Sequence, residues 1–279
     1  MAKRFREEEL EFLKQHSEKF GVKVCAEKLN RPVDTIRRKI HSLGLSVNKC
    51  TATQEEINKL VFNSNFVELD IEFSTQKFPK ELAYWLGFFW ADGYIRKDCE
   101  MVIEITEEDG LILEPIFNRL ASFSIHKRSR EGRKPQMSFC YGNKLIASKL
   151  KELGKYSNSI ESHEKILNYI PEKYQNYFIR GLIDGDGCFY MNNSHTQFSI
   201  SNSLNYDWNY LCQYFKEKYN IKPSITKIET SNGNSSRFIS SCTKDVCNFI
   251  SKLYYIKDGI WLNRKYNKAQ YILVEKQIN

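Results

Sequence analysis

The 279-residue chain lacks any long hydrophobic run. Its most apolar stretch, residues 82–91, falls far short of the ~20 residues that a membrane-spanning helix needs. The opening Met1-Ala2-Lys3-Arg4-Phe5-Arg6 runs straight into Glu7-Glu8-Glu9, with no apolar leader region. A soluble cytoplasmic protein with no membrane partner is therefore expected. The eight cysteines, at 25, 50, 99, 140, 188, 212, 242 and 247, include no C-x-x-C pair. That argues against a zinc ribbon and against a disulfide framework, and it predicts reduced thiols. An acidic excess is lacking too: Lys+Arg number 42 against 34 Asp+Glu, a formal net charge of +8. This balance suits a polyanionic partner such as nucleic acid without proving one.

What the chain does have is an apolar stretch that occurs twice and ends both times in Asp-Gly. The first copy is Leu86-Gly87-Phe88-Phe89-Trp90-Ala91-Asp92-Gly93, and the second is Arg180-Gly181-Leu182-Ile183-Asp184-Gly185-Asp186-Gly187. Gly87 and Gly181, Asp92 and Asp186, and Gly93 and Gly187 are all separated by the same 94 residues. A repeat in one register predicts two similar halves, each contributing one carboxylate.

Hydrophobic spacing places these copies on helices within a repeated order of elements. The first half reads as helix 81–91, strands 94–96 and 101–105, helix 111–120, strands 125–130 and 136–141, and helix 143–153. The second reads as helix 177–185, strands 188–191 and 197–201, helix 208–219, strands 224–229 and 237–242, and helix 245–255, followed by a basic helix from Leu262. The expected class is α+β, with domains at 79–165 and 166–279. Upstream, helices at 7–20, 22–29 and from Val33 resemble a helix-turn-helix over residues 1–46, with Arg37, Arg38 and Lys39 on the third helix for DNA contact. A small helical cap with a solvated basic face is the alternative. Residues 47–78 read as a linker with one more helix at 53–62.

Each Asp falls at a helix C-terminus, where the dipole already carries negative charge. The following glycine is expected in the left-handed conformation that reverses the chain. Small residues one turn apart, Gly87 with Ala91 and Gly181 with Gly185, would let the two helices approach closely and bring Asp92 together with Asp186. Two carboxylates on two negative helix ends repel. A bound cation resolves the conflict, and oxygen ligands without His or Cys point to Mg²⁺ or Mn²⁺ rather than zinc. Either copy alone would read as a core helix with a common turn. A calcium loop starting at Asp184 fails, with Phe189 and His195 where Gly and Glu are required.

Both stretches resemble the paired signature motifs of the LAGLIDADG homing endonucleases in their monomeric form. The second, Gly-Leu-Ile-Asp-Gly-Asp-Gly, is the closer match; the first is richer in aromatics. The resemblance covers roughly residues 79–275. It implies two pseudo-symmetric αββαββα units whose antiparallel sheets form a DNA-binding saddle, and site-specific, Mg²⁺-dependent double-strand cleavage that leaves 3′ overhangs. Asp92 and Asp186 match the metal-binding acids, and Ala91 and Gly185 match the adjacent main-chain ligands. Glu107 and Asn202 match a polar pair around the attacking waters, although Glu107 departs from the usual Gln or Asn. Lys155 and Lys265 match the basic pair. The second copy with Lys265 looks the better equipped.

On the strands, Arg96, Lys97, His126, Lys127, Arg128, Arg130, Arg133 and Lys134 form a basic set in the first half. Asn192, Asn193, Gln197, Ser199, Ser201, Lys227, Thr230 and Arg237 form a less basic set in the second. Such side chains can reach bases and phosphates of double-stranded DNA. A non-cleaving regulator or an intron-splicing cofactor on the same scaffold is the competing reading, and an intein-associated nuclease is a weaker one.

Overall fold

In a computed structural model, residues 5–29, 31–46, 50–53, 78–156, 159–192, 195–230 and 233–277 are described. They fall in two compact units, residues 1–71 and 72–279. The expected helix 53–62, most of the linker 47–78 and Asn193 lie outside the described residues.

In the N-terminal unit, α1 (Glu7–Lys28) is interrupted at Gly21, whose φ of 71° and ψ of 173° are not helical. The run is thus two helical segments, as the sequence predicts, and α2 (Val33–Ser42) is the third. Leu13, Val22, Cys25, Ala26, Ile36 and Ile40 form its core. Arg31 donates to both carboxylate oxygens of Glu9, at 2.8 and 2.9 Å. Arg37 and Arg38 are exposed on α2, whereas Lys39 is half-buried with its ammonium 5.6 Å from the Phe5 ring centre.

The larger unit repeats one plan. The first half runs α3 (Lys80–Asp92), β1 (Gly93–Ile95), β2 (Glu100–Thr106), α4 (Glu107–Phe117), β3 (Ser124–Arg128), β4 (Gln136–Gly142) and α5 (Lys144–Glu152). A joining segment holds the β5 (Lys155–Tyr156) and β6 (Ser159–Ile160) hairpin, α6 (Glu164–Tyr169) and one 3₁₀ turn. The second half runs α7 (Gln175–Asp186), β7 (Gly187–Met191), β8 (Thr196–Ser203), α8 (Asn209–Tyr219), β9 (Ser224–Thr230), β10 (Gly233–Ser240) and α9 (Thr243–Leu253), and α10 (Asn263–Gln277) follows. Each half builds an antiparallel four-stranded sheet, ordered β1-β2-β4-β3 and β7-β8-β10-β9. This is the expected α+β pair of αββαββα units. The two halves lie together in one compact unit, residues 72–279.

Helices α3 and α7 explain that fusion. Residues 82–90 are all buried, as are 177–184, so the helices are sealed on every side. Their contact needs backbone against backbone. A Cβ on Gly87 would lie 1.9 Å from the Phe178 carbonyl oxygen, and one on Gly181 would lie 2.1 Å from that of Tyr84. Small residues are therefore obligatory at this crossing.

Gly93 and Gly187 depart from expectation. Their φ/ψ values of −83°/157° and −79°/153° are ordinary extended backbone, and each helix passes directly into its first strand. Glycine is required for space instead: a Cβ would meet the Phe89 ring at 2.2 Å in one copy and Ile183 Cα at 2.7 Å in the other.

Buried Arg180 ties down the chain after α9. It donates through Nε to the Leu253 carbonyl at 2.8 Å, through Nη2 to that of Ile256 at 2.8 Å, and through Nη1 to Asp258 at 3.1 Å. Tyr177 and Lys80 also donate to Asp258, at 2.6 and 2.9 Å.

Candidate active site

The close crossing of α3 and α7 continues to their C-terminal ends. A Cβ on Gly185 would lie 2.3 Å from Ala91 Cβ and 3.1 Å from Asp92 Oδ2. The two Asp-Gly ends thus share one space, with Asp92 exposed and Asp186 partly buried. Protein crowding raises the Asp92 carboxyl above its ordinary range, although Lys265, Lys155 and Arg264 pull the other way. Asp186 is pushed up to about 7, first by burial and then by the Asp92 charge. The Asp92 charge thus hinders ionisation of Asp186, in the sense expected of two acids on paired helix ends.

Both expected lysines are at this place. Lys155, the first residue of β5, is 1% exposed and donates through Nζ to the Trp90 carbonyl at 3.0 Å. Burial brings it down to about 8, against the pull of Asp186 and Asp92. Lys265, in the first turn of α10, donates to the Ile183 carbonyl at 3.3 Å and to that of Gly187. Its ammonium is likewise held below its usual range by burial and by neighbouring Arg264. The first half is therefore as well furnished with a lysine as the second. Lys155 thus sits on a carbonyl in the last turn of α3, and Lys265 spans the junction of α7 with β7.

The polar pair expected around the waters does not form as a pair. Glu107 is not on β2; it opens α4, and its carboxylate accepts from Lys127 Nζ at 2.6 Å. Gly93 pairs with Ile103 and Gly187 with Ile200. The residue equivalent to Asn202 is therefore Ile105, which is buried and apolar. Glu107 lies two positions beyond it because α4 starts earlier than the apolar spacing implies. Thr106 caps that start, accepting from Asp109 N at 3.4 Å. Asn202 does lie on β8, where its side chain accepts from Ser203 N at 2.7 Å.

Three residues at the site escaped the pattern reading. Asp184 is 1% exposed, and its Oδ2 accepts from the Tyr84 hydroxyl and from Leu262 N, both at 2.7 Å. Burial pushes its carboxyl up to about 7. Its position just before Gly185-Asp186 was the available signal, weakened because the first copy has Trp90 there. Asp109 and Arg264 form a bidentate pair, with Nε 3.0 Å from each carboxylate oxygen and Nη2 2.8 Å from Oδ2. No sequence spacing announces a pair 155 residues apart.

A hard divalent cation would find oxygen donors at the paired helix ends. Asp92 Oδ2 lies 3.1 Å from where a Cβ on Gly185 would stand, so the Asp92 carboxylate reaches the helix end that bears Asp186. Among the described residues, no group of three or more His, Cys, Asp or Glu could hold a metal. Main-chain carbonyls would therefore have to complete the coordination shell, which Mg²⁺ or Mn²⁺ accepts more readily than zinc.

The strand registers divide the expected nucleic-acid contacts into two faces. On the first sheet, Glu104, Ser138 and His126 align across the strands, as do Thr106, Gln136 and Arg128. This face is away from the helices, and Arg128 with Arg130, Arg133, Lys134, Glu104 and Gln136 lines a recess there. Arg96 and Lys97 are exposed at the β1–β2 turn. Lys127 instead aligns with Met137, which is wholly buried, so it belongs to the helix side with its Glu107 partner. Lys227 aligns with buried Ser236 and is also on the helix side. The open face of the second sheet carries Gln197, Ser199, Ser201 and Arg237. Ser199 is buried there, and Asn192 is engaged in the β7–β8 turn, accepting from His195 N at 2.7 Å.

The chain is similar to the I-LtrWI LAGLIDADG homing endonuclease bound to target DNA, at 13% identity over 72% of this chain and 91% of that one, with a TM-score of 0.48. It is similar to the LAGLIDADG meganuclease I-AabMI bound to uncleaved DNA, at 15% identity over 72% and 91%, with a TM-score of 0.47. A third similar structure is full-length DUF199/WhiA from Thermatoga maritima, at 17% identity over 80% and 66%, with a TM-score of 0.43. No family model matches the chain, and no curated protein does.

Proposed function

We propose that the protein is a site-specific double-strand DNA endonuclease acting as a monomer. The observation that carries this reading is the meeting of Asp92 and Asp186 on two backbone-packed helices, beside two lysines and between two sheets with open polar faces.

Asp92, Asp186 and the carbonyls of Ala91 and Gly185 would hold Mg²⁺ or Mn²⁺, which when bound supplies Lewis-acid stabilisation of charge on the leaving 3′ oxygen. The chain's own groups do the rest. The sheets hold the duplex through its phosphates and base edges. Lys155 Nζ, brought down to about 8, can hold or release a proton near neutrality and so orient or deprotonate a water. Water oxygen then bonds to phosphorus as the bond to the 3′ oxygen breaks, and the leaving oxygen takes up a proton. One such event on each strand gives a double-strand break, with 3′ overhangs.

A second reading is supported by the lysines themselves. Lys155 and Lys265 offer two positive charges to two carboxylates, so the site can be neutral without an ion, as a non-cleaving regulator or splicing cofactor would require. Plasmids carrying a randomised target library, incubated with Mg²⁺ or with EDTA, separate the two readings. Linear product in Mg²⁺ only, and its loss in Asp186→Asn with DNA binding kept, is the expected result. Binding of a selected target with no cleavage in Mg²⁺ would leave the second reading standing.

A further inference from the structure

Among the side-chain bridges that cross between the halves near the site, two occupy equivalent places. Ile103 and Ile200 are equivalent by their pairing with Gly93 and Gly187. Counting onward, Asp109 and Tyr206 are then equivalent positions, each just past the second strand of its half. Asp109 grips Arg264 in a bidentate pair, and Arg264 adjoins Lys265. Tyr206 shares a buried hydrogen bond with Nδ1 of His163, which follows the hairpin that begins at Lys155. Each bridge starts on one half and ends on the segment that bears the lysine of the other.

The surroundings show what each bridge fixes. Residues 262–265 start α10, held at Leu262 N by Asp184 and at Arg264 by Asp109, with Lys265 next along. Asp109 is 6% exposed, so its charge has little solvent to turn to if Arg264 leaves. On the other side His163 is 1% exposed and Tyr206 8%, and both rings pack against aromatic neighbours. One bridge is charged and at the rim, and the other is neutral and sealed.

We propose that these bridges are positioning devices, Asp109 with Arg264 setting Lys265 and Tyr206 with His163 setting Lys155, each independently of the other. The catalytic consequence rests on the endonuclease reading, whereas the positioning itself does not. If each lysine serves one scissile phosphate, damage to one bridge falls on one strand.

The test has two readouts on the full chain. In the first, limited acylation of amines is followed residue by residue by mass spectrometry. Asp109→Ala is expected to speed labelling of Lys265 by about threefold or more while Lys155 stays at its wild-type rate, and Tyr206→Phe does the reverse. In the second, an end-labelled target duplex reports nicking of each strand. Asp109→Ala slows one strand about tenfold and spares the other, and Asp109→Glu restores it in part. A general loosening of the fold would move both lysines and both strands together, and that result overturns the proposal, as does no change at either lysine. A wild-type protein that cuts no strand defeats the endonuclease reading alone, because the labelling pattern still decides the bridges.

Discussion

His163 shows how a single buried residue writes a pH dependence into this fold. Its ring is 1% exposed, its Nε2 has no hydrogen-bond partner, and its neighbours include the Lys155 charge. Burial first, and Lys155 second, bring it down to about 3. The imidazole is therefore neutral in the folded protein, whereas in the unfolded chain it takes up a proton near pH 6.5. Between those values the unfolded state binds more protons, so this residue's contribution to stability is whole above about pH 6.5 and is lost as pH falls towards 3. Asp184 and Asp186 work in the opposite direction, because their raised values favour proton uptake by the folded state. A comparison with His163→Gln isolates the histidine. Between pH 7 and pH 5 the wild type should lose about 2 kcal/mol more than the variant, read from urea midpoints. Equal losses would mean that the histidine is charged in the folded state.

At the level of elements, the α3–α7 crossing decides whether the two halves exist as one body. Gly87→Ala places a methyl 1.9 Å from a backbone oxygen that cannot move without the helix moving. The variant should lose about 3 kcal/mol or more. Gly132→Ala is the control: with φ +72° and open space around it, only local strain of about 1 kcal/mol is added. Urea unfolding of both variants checks the difference. Gly87 and Gly181 were legible because small residues recurred at helical spacing in two copies of one register. The antiparallel strand pairs were legible by alternation. The start of α4 was not, because Glu107, Glu108 and Asp109 look like a polar loop until Thr106 is seen to cap them. That reading placed Glu107 at the end of a strand, whereas it opens a helix. The glycines after Asp92 and Asp186 were assigned correctly as helix ends but for the wrong reason, since crowding by Phe89 and Ile183 is a tertiary fact. The Asp109–Arg264 and Tyr206–His163 bridges were illegible for the same reason.

On the scale of the larger unit, the two open sheet faces differ in charge, and this asymmetry bears on how it would meet DNA. Arg128, Arg130, Arg133 and Lys134 gather on the first sheet, while Arg237 stands among hydroxyls and amides on the second. Composition foresaw the imbalance; only register could show that Lys127 and Lys227 point to the helix side. Cations against phosphate release condensed counterions, so the logarithm of affinity falls with the logarithm of salt by about 0.9 per phosphate contact. Neutralising Arg128, Arg130 and Arg133 together should flatten that slope by between about 2 and 3. Arg237→Ala should change it by at most about 1. The double variant Lys127→Ala/Lys227→Ala removes as many charges as two of those arginines, yet the slope should hardly move, because neither lysine is on the open sheet face. Titration of a random-sequence duplex over a salt series reads all three without needing the cognate target. A slope that fell equally for the helix-side lysines would mean that net charge, rather than the sheet face, holds the DNA.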